Sequence, residues 1–441
     1  MSGQVARQPT DQESAVQKGM AFFDQVFDGA PVKPFAVRFW DGSEWQHGNE
    51  PPRFTLELKH PASMQKIFWK PTEVSLGEAY IFGDFDVHGD LESSFELGDY
   101  LLNRDWRLAE KLRLGLKLLS VPSPPQERKK KGAADLRGRA HSKKRDAEAV
   151  QYHYDVSNDF YRLWLDKHMI YSCALFHSQE DTIDEAQYRK LDYLCRKLRL
   201  QPGEKLLDIG CGWGGLIMHA CQNYGVDATG ITLSQPQADL ANERIHEAGL
   251  SDRCRVEVLD YRDIPSDLQF DKAVSVGMFE HVGEGKLPDY FAKAYHLLKP
   301  GGVFLNHGIT ESKQNTRNKA GESFIDKYVF PDGELLPIST SLRVAEENGF
   351  EIRDVEGLRE HYAMTLRQWV KRLEDNLDEA IELTNSVTSR IWRIYMAGSA
   401  YSFHTGRIGL YQSLLVKSGQ KPTGLPLTRC DWYRPCPSGH Y

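Results

Sequence analysis

The chain has no run of about 18 uninterrupted apolar residues, so no membrane-spanning helix is expected from it. Its first residues, MSGQVARQPTDQES, hold no apolar stretch, which argues against a secretory signal. Cysteine is scarce. Cys173, Cys195, Cys211, Cys221, Cys254, Cys430 and Cys436 are odd in number and irregular in spacing, which suits reduced thiols in a cytoplasmic protein and not a disulfide framework. Cys430 and Cys436 are near enough in sequence to meet, but two cysteines make a poor zinc site, and no metal site is expected. Internal repeats are lacking. The one strongly basic segment has no nucleic-acid-binding motif beside it, so nucleic acid is not expected as a partner.

What is present is an ordinary globular balance. Of 441 residues, 40% are hydrophobic and 27% charged, enough for two cores, or one core with large additions. The net charge of −7 is unevenly spread: residues 127–145 carry nine Lys/Arg against two acids. Such a run is either a solvated linker or a contact with an anionic membrane surface, worth about 1 kcal/mol per basic residue close to it. Before it, FAVRFWDG, FTLELKH and KIFWKP alternate apolar and polar residues as half-buried strands do, with turns at DG and GNEPP. RDWRLAEKLRLGLKLLSV (104–121) has helical spacing, with Arg104, Arg107, Lys111, Arg113 and Lys117 on its other faces. It reads as a surface helix or an interfacial one, ended by VPSPP.

Beyond the basic run the pattern changes. KLLDIGC, DATGITL, CRVEVLD, DKAVSVGMF and GGVFLNHGI read as short strands. They alternate with helical stretches such as LIMHACQNY, PQADLANERIHEAG and LPDYFAKAYHLL. This order predicts a doubly wound α/β sheet, followed by a mostly helical tail over 365–419. The expected organisation is an N-terminal α/β accessory domain over 1–120, a basic linker over 121–146 and a catalytic domain over 147–441.

LLDIGCGWGGL (206–216) is a strand, a glycine-rich turn and the start of a helix. Gly210, Gly212 and Gly214 let backbone amides approach a ligand where a side chain would block it. The Lys-Ser/Thr pair of a phosphate loop is missing. So is the acid expected about 20 residues on in a dinucleotide fingerprint; ITLSQPQ offers Thr232 and Gln237 instead. A second stretch, VSVGMFEHVG (274–283), begins as a buried strand and ends in Glu280 and His281. An unpaired buried carboxylate costs several kcal/mol, so Glu280 is either structurally paired or placed to hold something.

LLDIGCGWGG resembles the cofactor loop of Rossmann-like S-adenosylmethionine methyltransferases, and LLKPGG their turn before a later strand. With AVQYHYDVSNDFYRLWLDKHMIYSCALF, ITLSQPQ, LDYRDI, MFEHVG and DKYVFPDG, the set resembles the cyclopropane-fatty-acyl-phospholipid synthase family and the related mycolic-acid methyltransferases, over roughly residues 147–419. The resemblance implies a Rossmann-like doubly wound methyltransferase sheet with helical lipid-site additions. It implies an S-adenosylmethionine site made by Tyr171, Ser172, Gly210, Gly212, Gly214, Thr232, Leu233, Gln237, Tyr261 and Arg262, with Asp208 supporting the loop. It also implies a bicarbonate ion held by Cys173, Glu280, His307, Tyr362 and the backbone of Ile309, with His281 structural.

The implied reaction is methylene transfer to a cis double bond of an unsaturated phospholipid acyl chain, at the inner membrane face, by a peripheral cytoplasmic enzyme; a homodimer is compatible with it. A cis alkene is a weak nucleophile that needs close, in-line and dry placement against the sulfonium methyl. A small oxyanion would then remove the surplus proton. One departure stands out. Many members carry a cysteine in an ACAGAF-like stretch, where AGSAYSF here places Ser399. The rival expectations are a methylene- or methyl-branched product, a soluble small-molecule methyltransferase, and a non-catalytic lipid-binding protein.

Overall fold

The computed structural model describes residues 11–69, 71–104, 107–121, 142–154, 156–312, 323–331, 333–418 and 425–433. Most of the expected basic linker, including Lys129, Lys130 and Lys131, lies outside the described residues, as does Cys436. The described chain divides into two compact units. The first contains the N-terminal residues together with 321–328 and 385–401; the second holds 134–320, 329–384 and 402–441.

In the first unit, α1 (Asp11–Phe27) packs with a four-stranded sheet of β1 (Phe35–Arg38), β2 (Glu44–His47), β3 (Phe54–Leu58) and β4 (Phe85–Gly89). The strand order is β2-β1-β3-β4, with β1 and β3 parallel and the other pairs antiparallel. Phe22, Phe23, Phe27, Phe35, Phe39, Phe54 and Phe68 fill the core, each burial worth roughly 1.5–3 kcal/mol. KIFWKP (66–71) is expected as a strand, but its first three residues instead form the end of helix α2 (Ser63–Phe68). Ser63, Met64, Ile67 and Phe68 are its buried residues, a one-sided helical stripe that a six-residue window cannot distinguish from alternation. Helices α3 (Glu73–Ile81), α4 (Ser94–Asn103) and α5 (Leu108–Leu119) complete the N-terminal part.

The second unit opens with α6 (Lys143–Tyr154), α7 (Asn158–Arg162) and α8 (Ile183–Leu198). The alternation follows as expected: β5 (Lys205–Ile209), α9 (Gly215–Tyr224), β6 (Asp227–Thr232), α10 (Gln235–Glu247), β7 (Cys254–Val258), β8 (Phe270–Val276), α11 (Leu287–Leu297) and β9 (Leu298–Glu311). Then come α12 (Phe324–Tyr328), which belongs to the first unit, α13 (Ile338–Glu347), β10 (Glu351–Gly357), α14 (Arg359–Asp375), α15 (Leu377–Leu383), α16 (Ser386–His404) and β11 (Ile408–Val416). The seven strands lie in the order β10-β11-β9-β8-β5-β6-β7. They form a mostly parallel sheet in which only β11 is reversed.

The tail is helical only as far as His404. IGLYQSLLV then forms β11, an apolar run buried along most of its length and inserted between β9 and β10. Most of α16 belongs to the first unit. There Arg390 donates to the carbonyls of Tyr80 and Phe85, both at 2.8 Å, and to Asp86 at 3.0 Å, and Tyr401 donates to Asp99 at 2.7 Å. Ser399 is buried on this helix.

Helix α8 positions much of the site and is strongly specified. Thr182 and Glu185 form a capping box, Asp184 and Glu185 sit in the first turn, Arg196 and Lys197 in the last. Its buried stripe of Ile183, Ala186, Leu191, Leu194, Cys195 and Leu198 is interrupted by Gln187 and Lys190, both also buried.

Candidate active site

The carboxyl ends of β5, β6, β7 and β8 open into a cavity of about 1170 Å³ of empty space, its solvent mouth included. Parallel strands direct their ends to one edge of a sheet, and ligands settle in the crevice there. Ten of the eleven residues assigned to the cofactor line this cavity: Tyr171, Ser172, Asp208, Gly210, Gly212, Thr232, Leu233, Gln237, Tyr261 and Arg262. Gly214 does not line it; it is the left-handed N-cap of α9. Gly210 (φ +85°) and Gly212 (φ +54°) have backbone conformations that L side chains rarely adopt, and a Cβ on Gly210 would stand 2.8 Å from Met278 Cβ. The turn therefore exposes bare backbone to the cavity, as a close-bound ligand requires.

At the β6–β7 end, Thr232 Oγ1 donates to Gln237 Oε1 at 2.7 Å. Arg262 is tied to Asp260 at 2.6 and 2.8 Å and to Asp146 at 2.9 Å. Burial raises Asp260, but the Arg262 hydrogen bonds outweigh it and hold the carboxyl below its ordinary value. At the β5 end, Tyr171 packs among Tyr161, Trp164 and Trp369, with ring centroids 5.3–5.8 Å away. Trp369 and Phe403 in turn flank the Tyr362 ring. Such ring faces can stabilise a nearby cation.

The five residues assigned to the anion are not in the cavity wall. They form two groups. Glu280 Oε1 accepts the Ile309 amide at 2.7 Å, and His307 lies two residues before Ile309 on β9. Cys173 Sγ lies 3.9 Å from the Leu358 carbonyl, which also accepts the Tyr362 amide at 3.3 Å. Glu280 Oε2 and His307 Nε2 are buried, with no hydrogen-bond partner among the described residues. Burial raises Glu280 to about 7, against the Ile309 hydrogen bond. It pushes the Cys173 thiol up, so this sulfur stays protonated, and it drives His307 well below its usual range, so the imidazole is neutral.

Sequence reasoning missed what fixes that imidazole. Lys197 donates to Gln412 Oε1 at 2.9 Å, which orients the amide so that its Nε2 donates to His307 Nδ1 at 3.2 Å. The proton of neutral His307 is thereby placed on Nε2, the nitrogen left without a partner. Glu356 anchors Lys197 from behind. Also missed were Lys190, Trp213, Met278 and His281, all lining the cavity. Lys190 had a signal: a lysine on the apolar stripe of α8. His281, expected to be structural, stands in the cavity wall and packs on Phe330, with ring centroids 5.5 Å apart.

The residues present fit S-adenosylmethionine at the glycine turn. Known proteins point the same way. Residues 141–413 match the family model for mycolic acid cyclopropane synthetase, and residues 22–97 match a domain of unknown function. A "Probable fatty acid methyltransferase" of Pseudomonas putida is 43% identical over 405 residues, spanning 91% of this chain and 96% of that protein. A Mycobacterium tuberculosis protein with the same description is 36% identical over 94% of this chain and 98% of its own length. The solved cyclopropane synthase MmaA2 from Mycobacterium tuberculosis superposes with a TM-score of 0.58 at 36% identity, covering 62% of this chain and 98% of its own. Mycolic acid cyclopropane synthase CmaA1, solved with SAH and CTAB, has the same TM-score, identity and coverage. The chain belongs to the mycolic acid cyclopropane synthetase family and is an S-adenosylmethionine-dependent methyltransferase of the cyclopropane synthase type.

Proposed function

We propose that the protein is a peripheral enzyme of the cytoplasmic membrane face that converts cis double bonds of phospholipid acyl chains into cyclopropanes. S-adenosylmethionine supplies the electrophilic methyl, and bicarbonate held by Cys173, Glu280, His307, Ile309 and Tyr362 supplies the base. The observation that carries this reading is that two buried atoms, Glu280 Oε2 and His307 Nε2, have no hydrogen-bond partner among the described residues, while the other Glu280 oxygen accepts the amide of Ile309, two residues from His307 on β9. His307 offers an N–H and Glu280 an acceptor or a proton, which is what a bicarbonate ion with both lone pairs and a hydroxyl needs. Cys173, kept as a thiol, cannot compete for the methyl as a thiolate. The aromatic wall around Tyr171 keeps water from a carbocation and favours positive charge.

Incubation with labelled S-adenosylmethionine and vesicles of monounsaturated phospholipid tests this reading. Proton NMR of the recovered lipid should show cyclopropane hydrogens at high field. Label confined to water-soluble products would refute it. A second product class, methylene- or methyl-branched chains, is favoured by the full-length relatives described as fatty acid methyltransferases and by Ser399 in place of the usual cysteine. The same spectrum separates it, because olefinic methylene and branch methyl signals fall elsewhere.

Membrane docking is assigned to α5. Leu112, Leu116 and Leu119 are 63%, 70% and 64% exposed at i, i+4, i+7 spacing, with Trp69 also exposed. Arg113 is exposed beside them, and the sequence that follows the helix is strongly basic. No helix among the described residues is long and apolar enough to cross a membrane. An apolar stripe edged by cations suits the surface of an anionic bilayer. Leu112→Asp with Leu116→Asp should reduce cosedimentation with anionic vesicles by about tenfold or more. Binding of S-adenosylhomocysteine should stay unchanged. Unchanged vesicle binding would remove α5 from the proposal, and a shift from dimer to monomer in sedimentation would assign the face to a second copy instead.

A further inference from the structure

The cavity runs across the ends of β5, β6, β7 and β8, and its two ends differ in charge. At the β6–β7 end Arg262 is already neutralised by Asp260 and Asp146. At the β5 end Lys190 reaches the wall from α8, with Ser172, Asp208, Gly210 and Gly212 as neighbours in the lining. Lys190 is 2% exposed. Its ammonium donates to the neutral Ser172 Oγ at 2.9 Å, and among the described residues it has no carboxylate within ion-pair distance. Gln187, one turn earlier, donates to the Ser172 carbonyl at 2.8 Å and so fixes the same segment.

A buried ammonium held by one hydroxyl is under-compensated. The acids around it do not remedy this. Asp166 spends its oxygens on the amides of His168 and Ile170, and burial raises it to about 6. Asp208 has no partner for Oδ1 among the described residues and is raised to about 7, again by burial, with Lys190 opposing. Lys190 itself is lowered by burial to about 8 and remains mostly charged at neutral pH.

We infer that the Lys190 ammonium, presented beside Ser172 at the β5 end of the cavity, is the receptor for the α-carboxylate of the cofactor's amino-acid end. This rests on the family's use of S-adenosylmethionine. The adenosyl part then occupies the β6–β7 end, where Thr232, Gln237 and Tyr261 lie and no uncompensated cation competes for the carboxylate. Asp208 stands where the zwitterion's own ammonium offsets it. Lys190 contributes by fixing the cofactor and takes no part in the transfer.

Titration calorimetry with S-adenosylhomocysteine and with 5′-methylthioadenosine, which lacks the amino-acid end, tests the inference. Lys190→Met should lose about 30-fold or more in affinity for S-adenosylhomocysteine while methylthioadenosine binds within about twofold of wild type. Lys190→Arg should retain most of the S-adenosylhomocysteine affinity because it keeps the charge. Parallel loss of both ligands in Lys190→Met would show a merely structural lysine and overturn the inference, as would unchanged S-adenosylhomocysteine binding. If the methionine variant does not fold, equal loss of S-adenosylhomocysteine and methylthioadenosine in Lys190→Arg overturns it, and retained preference supports it. Failure of the wild type to bind S-adenosylhomocysteine would instead remove the cofactor from this cavity altogether.

Discussion

Glu280→Gln is expected to lower turnover by about 10²–10⁴-fold, the range associated with losing a positioned proton-transfer partner. Affinity for S-adenosylhomocysteine should remain within about twofold, because Glu280 does not line the cofactor cavity. The glutamine carbonyl can still accept the Ile309 amide, so the local fold is kept; what is lost is the titrating oxygen. The variant also has a stability signature. Burial raises Glu280 from the ordinary carboxylate value to about 7. A raised acid stabilises the folded state below its unfolded pKa, and that contribution is lost as pH rises through the folded pKa. Glutamine does not ionise. The stability of Glu280→Gln relative to wild type should therefore rise by roughly 2–3 kcal/mol between pH 5 and pH 8. Urea unfolding at the two pH values measures this. A pH-independent difference would mean that Glu280 ionises normally in the folded protein.

Gly210→Val is expected to abolish cofactor binding and to destabilise the second unit. Its φ of +85° strains any β-branched residue, and the new Cβ would stand 2.8 Å from Met278 Cβ. Strain and overlap together should cost about 2–4 kcal/mol. The valine methyls would also fill the turn where backbone approaches the ligand, so S-adenosylhomocysteine affinity should fall by about 100-fold or more. Gly249→Ala is the control: φ is +68°, but nothing lies within 4 Å of its Cβ. It should lose about 1 kcal/mol of stability with cofactor affinity intact. Equal loss of cofactor binding in both variants would mean that glycine strain alone, and not the turn's contact with the ligand, explains the effect.

The candidate site was legible where chemistry is local. A glycine turn must follow its strand and precede its helix, so 206–216 announced itself, whereas Tyr171 and Ser172 were reached only through the family resemblance. KIFWKP was misread because six residues fit two periods equally well. IGLYQSLLV was absorbed into a helical tail because a short apolar run between longer helices carries no period of its own. Lys197, Gln412 and Glu356 were not legible at all. They come from α8, β11 and β10, and their joint hold on the His307 tautomer exists only once the reversed strand is inserted into the sheet.

By itself the sequence determined the alternation of strands and helices, the bare-backbone turn and the residue types available for the chemistry, because periodicity, glycine conformation and side-chain ionisation are properties of short segments. Only the tertiary structure decided which of those residues lose water. Burial turns Lys190, Asp208, Glu280 and His307 from ordinary titrating groups into a set with displaced charge states, and it drew 385–401 into the N-terminal unit. Desolvation depends on everything packed around a group, and that surrounding is assembled from segments hundreds of residues apart.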